Sequence, residues 1–347
     1  MDIKKQIIDK LNESELLTGQ ELCKVFSISR QALNKHIKVL VETGKIVKNG
    51  RTRGSVYQIG TRPKKNTVDK FCRIISLSGA HEDRVFDDFN AILNTKKKLD
   101  KNIYDILYYS FTKMLNNAID HSDSEKCSIS ISLDMYKVRF AVRDNGIGLF
   151  SSIHRKFGLQ DENSAVGELI KGKTTTMKER HSGEGIFFTS KLGDVVSFRS
   201  HGLEIVFDNI RKDVFIQKKR FIQGTKVDFE ISRHSRRKIS ECFHQFAPEE
   251  FDCKFDRTNI LVKLFQKDYI SRSEAKRIVS GLDKFKEVIL DFKDVDSIGQ
   301  GFADELFRVF MSGHPEIKVH VRNAGDPVKI ILSHVVDNNI KDRLTIG

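Results

Sequence analysis

Apolar residues recur at helical spacing over the first fifty positions. Ile3, Ile7, Ile8 and Leu11 fall three or four apart, which predicts an amphipathic helix over 3–11. Thr18, followed three residues later by Glu21, is a capping box, so a second helix starts there and ends near Phe26. Ser27-Ile28-Ser29 reads as a turn, and Ser29 caps a third helix from Arg30 to about Thr43. Leu33, Ile37, Leu40 and Val41 give that helix one apolar face, and Gly44 closes it. Ile46–Lys48 and Ser55–Ile59 then read as two strands around an Asn49–Gly54 tip.

The pattern changes after a polar, basic stretch around Pro63. Residues 103–121 predict one long helix, with Asn117, Asp120 and His121 sharing a polar face at its end. Alternating strands follow at 127–133 and 138–142, and further strands at 195–200, 204–208 and 226–231. Beyond Pro248 come a strand at 260–265, a helix at 273–285, a strand at 288–292, a helix at 302–311, a strand at 317–321 and a helix at 328–336. That alternation implies a small, mostly parallel sheet. The expected fold is multidomain α+β, with domains over 1–62, 68–235 and 250–347.

Charge sharpens this division. The 347 residues carry a formal net charge of +13, which points to an acidic partner. Residues 1–65 hold 14 Lys and Arg against 6 Asp and Glu, so the excess is concentrated in the first block. Its two helices, turn, third helix and basic hairpin resemble a winged helix-turn-helix. By that resemblance Arg30, Gln31, Asn34, Lys35 and Lys38 of the third helix face DNA, with Arg51 and Arg53 on the wing. Paired half-sites then imply a homodimer. No apolar run reaches the roughly 18 residues a membrane helix needs, so no membrane partner is expected. Five scattered cysteines without a C-x-x-C fit a reducing cytoplasm rather than a disulfide framework or zinc site.

The middle block carries a nucleotide-binding pattern. Arg143-Asp144-Asn145-Gly146-Ile147-Gly148 ends a strand, and His181-Ser182-Gly183-Glu184-Gly185-Ile186-Phe187 opens a helix. An Asp at a strand end can accept a hydrogen bond from an exocyclic amine, and adjacent glycines let the backbone approach a flat base. A Gly-rich turn opening a helix offers N–H groups to phosphate, and a helical Asn is an oxygen ligand for Mg²⁺. Taken in order, Asn117, Asp144-x-Gly146-x-Gly148, Gly183-x-Gly185 and Gly224-Thr225 resemble the GHKL nucleotide-binding domain of gyrase, heat-shock chaperones, histidine kinases and mismatch-repair ATPases. That resemblance implies the Bergerat α/β sandwich, with ATP and Mg²⁺ as cofactors. It implies that Asn117 holds Mg²⁺ beside Asp120 and His121, and that Asp144 reads adenine with Thr225 supporting it through water. Gly183, Gly185, Ile186 and Phe187 then line the phosphates. Residues 150–182 become a mobile lid supplying Lys171, Lys173 and Thr174. The run Gly167-x4-Gly172-Lys173-Thr174 also fits a P-loop formally, but the residues before it are polar and offer no strand.

One position departs from the GHKL pattern. The family often carries a Glu four residues before the N-box Asn, where it activates water; here Lys113 stands instead. An ammonium is a poor general base, so binding without brisk hydrolysis is expected. In the last block, Asp296-Ser297-Ile298-Gly299-Gln300-Gly301 between a strand and a helix resembles the STAS fold of anti-sigma factor antagonists. That resemblance implies a protein partner and marks Ser297 as a candidate phosphoacceptor. The combined expectation is an ATP-responsive, DNA-binding transcription regulator. An anti-sigma-type serine kinase or partner-switching protein is a second reading, and a stress or defence ATPase a third.

Overall fold

The computed structural model describes residues 3–14, 17–42, 45–49, 55–59, 68–159, 161–172, 184–248, 255–264, 269–336 and 338–347. The chain forms two compact units, Met1–Val68 and Asp69–Gly347.

The first unit runs α1 (Ile3–Glu13), β1 (Leu17–Thr18), α2 (Gly19–Phe26), α3 (Arg30–Glu42), β2 (Ile46–Asn49) and β3 (Val56–Ile59). The capping box at Thr18 and Glu21 forms with both its hydrogen bonds, and Ser29 Oγ accepts from the Ala32 N–H. Ser27 ends α2 in the left-handed region, at φ 51°. The strands form one antiparallel sheet in the order β1-β3-β2. Ile7, Leu11, Leu22, Leu33, Ile37, Leu40, Ile46 and Tyr57 make its core. Apolar spacing thus predicted both the helices and the faces they bury; the two-residue β1 is too short to leave a period.

The second unit begins with β4 (Asp69–Ser76), α4 (Glu82–Leu93), α5 (Thr95–Lys98) and α6 (Lys101–His121). Next come β5 (Lys126–Leu133), β6 (Lys137–Asp144), α7 (Leu149–Phe157), α8 (Glu162–Lys171) and α9 (Gly185–Leu192). A long hairpin of β7 (Val195–Asp208) and β8 (Asp213–Ser232) leads to α10 (Ile239–Phe246). The antiparallel sheet has the order β4-β5-β6-β8-β7. Strand alternation turns Ile131, Phe140 and Phe229 toward the helices, where Phe140 meets Phe111 of α6 and stacks on Phe229.

The unit ends with β9 (Arg257–Leu261), α11 (Arg272–Val279), β10 (Glu287–Asp291), α12 (Gln300–Ala303) and α13 (Phe310–Gly313), the last two joined through a π-helical segment, Asp304–Val309. Then follow β11 (Lys318–Arg322), α14 (Asp326–Val335), α15 (Asn338–Lys341) and β12 (Leu344–Ile346). Its four strands are all parallel, in the order β12-β11-β10-β9. Among the described residues no helix is long and apolar enough to cross a membrane.

Three expectations change. The gap expected between residues 235 and 250 does not separate two bodies: α10 fills much of it. Phe187 and Phe188 of α9 pack on Phe255, which leads into β9, so both sheets share one core. Leu149–Phe157 and Glu162–Lys171, expected as part of a mobile lid, are helices, with Phe150, Ile153, Ala165, Val166, Leu169 and Ile170 buried. The separate strands at 195–200 and 204–208 are one strand with a bulge at His201.

Candidate functional site

Asp144 ends β6 on the face that carries the helices, and it is 5 % exposed. Its Oδ1 accepts from the Gly146 N–H at 2.9 Å and the Thr225 N–H at 3.2 Å. Burial pushes the carboxyl pKa above the usual carboxylate range, against the pull of those two donors. The Thr225 hydroxyl accepts from the Leu149 N–H at 2.9 Å. Thr225 thus also bonds Asp144 directly through its backbone.

The glycines around this carboxylate are fixed by close approach. A Cβ on Gly146 would sit 1.7 Å from the Ser122 carbonyl oxygen, and one on Gly224, at φ +75°, would sit 2.6 Å from Asp144 Oδ1. Ser122 follows His121 directly, and its carbonyl accepts from the Ile147 N–H at 2.8 Å. The end of α6 is thereby bound to the loop after β6. Asn117, Asp120 and His121, all half-buried, lie on the last turns of the same helix. Lys113, exposed, packs beside Gly185 at the start of α9, 3.6 Å from where its Cβ would be. The structure thus gathers Lys113 with Gly185, and Asp144, Gly146, Gly148 and Thr225 with the end of α6.

Other expected contacts fall elsewhere. Lys171 is not a phosphate contact: it is 2 % exposed, and its ammonium donates to Glu168 Oε1 and to the Arg277 and Ser280 carbonyls. The Phe187 ring lies in the aromatic core against Phe246 and Phe255, and Ile186 packs at the edge of that core, so only their backbone remains for a phosphate. Gly167 lies inside α8, which removes the P-loop alternative. Lys173, Thr174 and Gly183, and the wing residues Arg51 and Arg53, lie outside the described residues.

Several participants left no sequence signal. Gln223 Nε2 donates to the Gly146 carbonyl at 2.7 Å. His201, at φ 51°, bonds through Nδ1 to Glu162 of α8 and stacks on Phe221. A Cβ on Gly148 would lie 2.7 Å from both His201 Nε2 and Ser200 Oγ. Lys191 of α9 stands over the rings of Phe187, Phe207 and Phe246, and burial pulls its pKa down to about 8. A depression of about 390 Å³ lies on the other face of the sheet, where Arg139 and Glu230 neutralise each other.

The cradle fits an adenine base. Asp144 Oδ1 is taken up by backbone donors, which leaves its second oxygen to accept from an exocyclic amine. Mg²⁺ fits only as a companion of phosphate. Among the described residues no group of three or more His, Cys, Asp and Glu can hold a metal, whereas Mg²⁺ is ordinarily held by one or two protein oxygens together with substrate phosphates. Asn117, half-buried on α6, is the residue that would supply such an oxygen.

In the first unit, Arg30, Gln31, Asn34, Lys35 and Lys38 are all exposed on α3, opposite buried Leu33, Ile37 and Leu40. In the last sheet, Ser297 is exposed between β10 and α12, two residues before Gly299, whose N–H donates to the Tyr269 carbonyl.

Comparison with known families gives two matches. Residues 4–55 match a helix-turn-helix (HTH) domain, and residues 274–329 match a STAS-like domain of unknown function. No curated protein matches the chain. The chain therefore carries an N-terminal helix-turn-helix domain, which suggests DNA-binding regulation, and a C-terminal STAS-like domain, which fits a partner-switching role.

Proposed function

We propose that the chain is a DNA-binding transcription regulator whose five-stranded layer binds ATP with Mg²⁺, nucleotide binding setting the affinity for DNA. The observation that carries this reading is the buried Asp144 carboxylate, held by two backbone N–H groups, walled by Gly146 and Gly224, and without an ion-pair partner among the described residues. An uncompensated buried carboxylate is costly, and costly polar groups concentrate at functional sites. The exposed α3 face contacts DNA, as a homodimer on paired half-sites. The STAS-like domain receives a protein partner, with Ser297 exposed for phosphorylation. Asn117 holds Mg²⁺ on the nucleotide, and Asp120 and His121 flank it.

Each residue has a stated task. Asp144 takes the exocyclic amine through its free oxygen. The glycine loop lets the base approach the backbone. Lys113, beside Gly185, lends positive charge to the phosphates but no base for water. The kinase alternative needs such a base to activate a serine hydroxyl, so Lys113 weighs against it. ATP should therefore bind at micromolar concentration, about −8 kcal/mol, with GTP a poor competitor because its keto group cannot donate to Asp144. Turnover should be near background in wild type and rise at least about tenfold in Lys113→Glu, the gain a positioned general base can give. Equal competition by GTP, or rapid hydrolysis by wild type, would overturn this reading.

A further inference from the structure

The β7–β8 hairpin runs past the sheet it belongs to. From Lys226 onward β8 lies between β6 and β7, but its pairing with β6 stops at Lys226 opposite Arg143. Residues 213–218 and Ile222 are paired to β7 alone, with a register shift between Lys218 and Ile222. Seven consecutive positions, Phe215–Phe221, are exposed. The outer side of 213–218 is a sheet edge, with backbone groups open to another strand, while the Arg220 carbonyl beyond it accepts from the Arg199 guanidinium. Three large apolar side chains stand exposed along this segment, Phe215, Ile216 and Phe221, the last at 62 %, and Ile210 is exposed in the turn that precedes it.

The edge is also basic. Lys218 lies on it, Lys219 and Arg220 follow it, Arg211 and Lys212 precede it, and no acidic residue falls between Val214 and Gln223. Glu204 of β7 takes up Lys219 and Gln217, while Lys218 and Arg220 have no acidic partner among the described residues. Lysines alone would be ordinary protection against self-pairing; protection does not call for exposed phenylalanines.

We propose that this edge binds an extended acidic segment of a partner protein, added as a further strand beside β8. Main-chain hydrogen bonds would supply affinity, and Lys218, Lys219 and Arg220 the charge selection. A nucleic acid fits less well. The hairpin is tied to the body at its turn, where Asn209 Nδ2 donates to the Ser190 and Gly193 carbonyls. Asp213 is held by Lys263 at 2.8 Å and Lys293 at 3.2 Å. A ribbon so anchored presents its edge, not a tip that enters a groove. A second copy fits less well too: a two-fold axis at the middle of the segment sets Lys218 against itself, and like charges directly opposite are destabilising.

The test uses the full chain and an acetylated decapeptide alternating Glu and Val. Its controls are the same peptide N-methylated at alternate residues in either register, the Lys/Val counterpart, and a DNA duplex. Binding is followed by fluorescence anisotropy, and hydrogen exchange is followed across 215–221. The acidic peptide should bind and slow exchange in that segment. N-methylation in one register, the Lys/Val sequence, or the K218E/R220E variant should each weaken binding about tenfold or more. The variant's melting temperature should stay unchanged, since both side chains are exposed. No protection at saturating peptide, or indifference to N-methylation or to charge reversal, overturns the proposal. So does protection of the same amides by duplex DNA, or self-association that the variant abolishes.

Discussion

Asp144→Asn should weaken ATP binding about 100-fold or more, ~2.7 kcal/mol, while the protein stays folded. The asparagine carbonyl can keep both bonds that Asp144 Oδ1 now accepts, from Gly146 and Thr225. Its amide nitrogen then takes the place of the second oxygen and sets a donor against the exocyclic amine of the base. Stability should move the other way. Burial holds the Asp144 pKa above the usual carboxylate range, so the folded chain keeps that proton to higher pH than the unfolded chain does. Over that window the native state binds more protons, and stability falls as pH rises through it. The amide of Asp144→Asn does not titrate and carries no such slope. The variant should therefore melt level with wild type in acid and above it at neutral pH. Isothermal titration with ATP and melting curves across pH read both effects. ATP affinity unchanged in a folded variant would remove Asp144 from the site.

Lys171→Ala should cost the second unit about 3–5 kcal/mol, the range for removing one member of a buried ion pair. The Lys171 ammonium meets Glu168 at 2.6 Å, the Arg277 carbonyl at 2.9 Å and the Ser280 carbonyl at 2.8 Å. Those two carbonyls belong to the C-terminal turn of α11, where no further helical N–H can reach them, and a cation there also suits the helix dipole. The Lys171 carbonyl in turn accepts from the buried Thr258 hydroxyl at the start of β9. One residue thus joins the end of α8 to two elements of the parallel-sheet region, its side chain to α11 and its main chain to β9. Its loss removes the ammonium from three part-buried acceptors at once. Because both sheets share one core, the drop should appear as one shifted transition for residues 69–347, by denaturant titration with probes on each sheet. A cost below about 1 kcal/mol, or two separate transitions, would contradict a shared core fastened at Lys171.

Lys171 also shows where sequence reading stops. In the sequence it stands beside Gly172, Lys173 and Thr174 and looks like part of a phosphate loop. Its partners lie 106 and 109 residues downstream, and no local pattern announces them. The elements read well are those with long, strong periods. The helix predicted over 103–121 is observed over 101–121, because its apolar spacing persists for more than five turns. α8 was legible in part, since Ala165, Val166, Leu169 and Ile170 form a stripe, but neighbouring polar residues suggested a loop. β4 and α4 were missed. β4 alternates poorly because most of it is exposed, while Phe86, Phe89 and Leu93 of α4 did carry a helical spacing. The bulge at His201, a left-handed non-glycine residue, hid a continuous strand. Within the candidate site, the motif residues Asp144, Gly146 and Thr225 were legible because each is local to a strand end. Gln223 donates its side-chain amide to the Gly146 carbonyl and Ser122 accepts through its own carbonyl, and composition marks neither backbone partner.

Nucleotide control of DNA affinity requires ATP to favour one of two arrangements of the chain. The direct measurement is the affinity of wild type and Asp144→Asn for a duplex selected from a randomised pool, at fixed salt, with and without Mg-ATP. Wild-type affinity should change about fivefold or more with ATP, a coupling of ~1 kcal/mol, and the variant should not respond. Equal wild-type affinity with and without ATP, in a protein shown to bind both ligands, would contradict it.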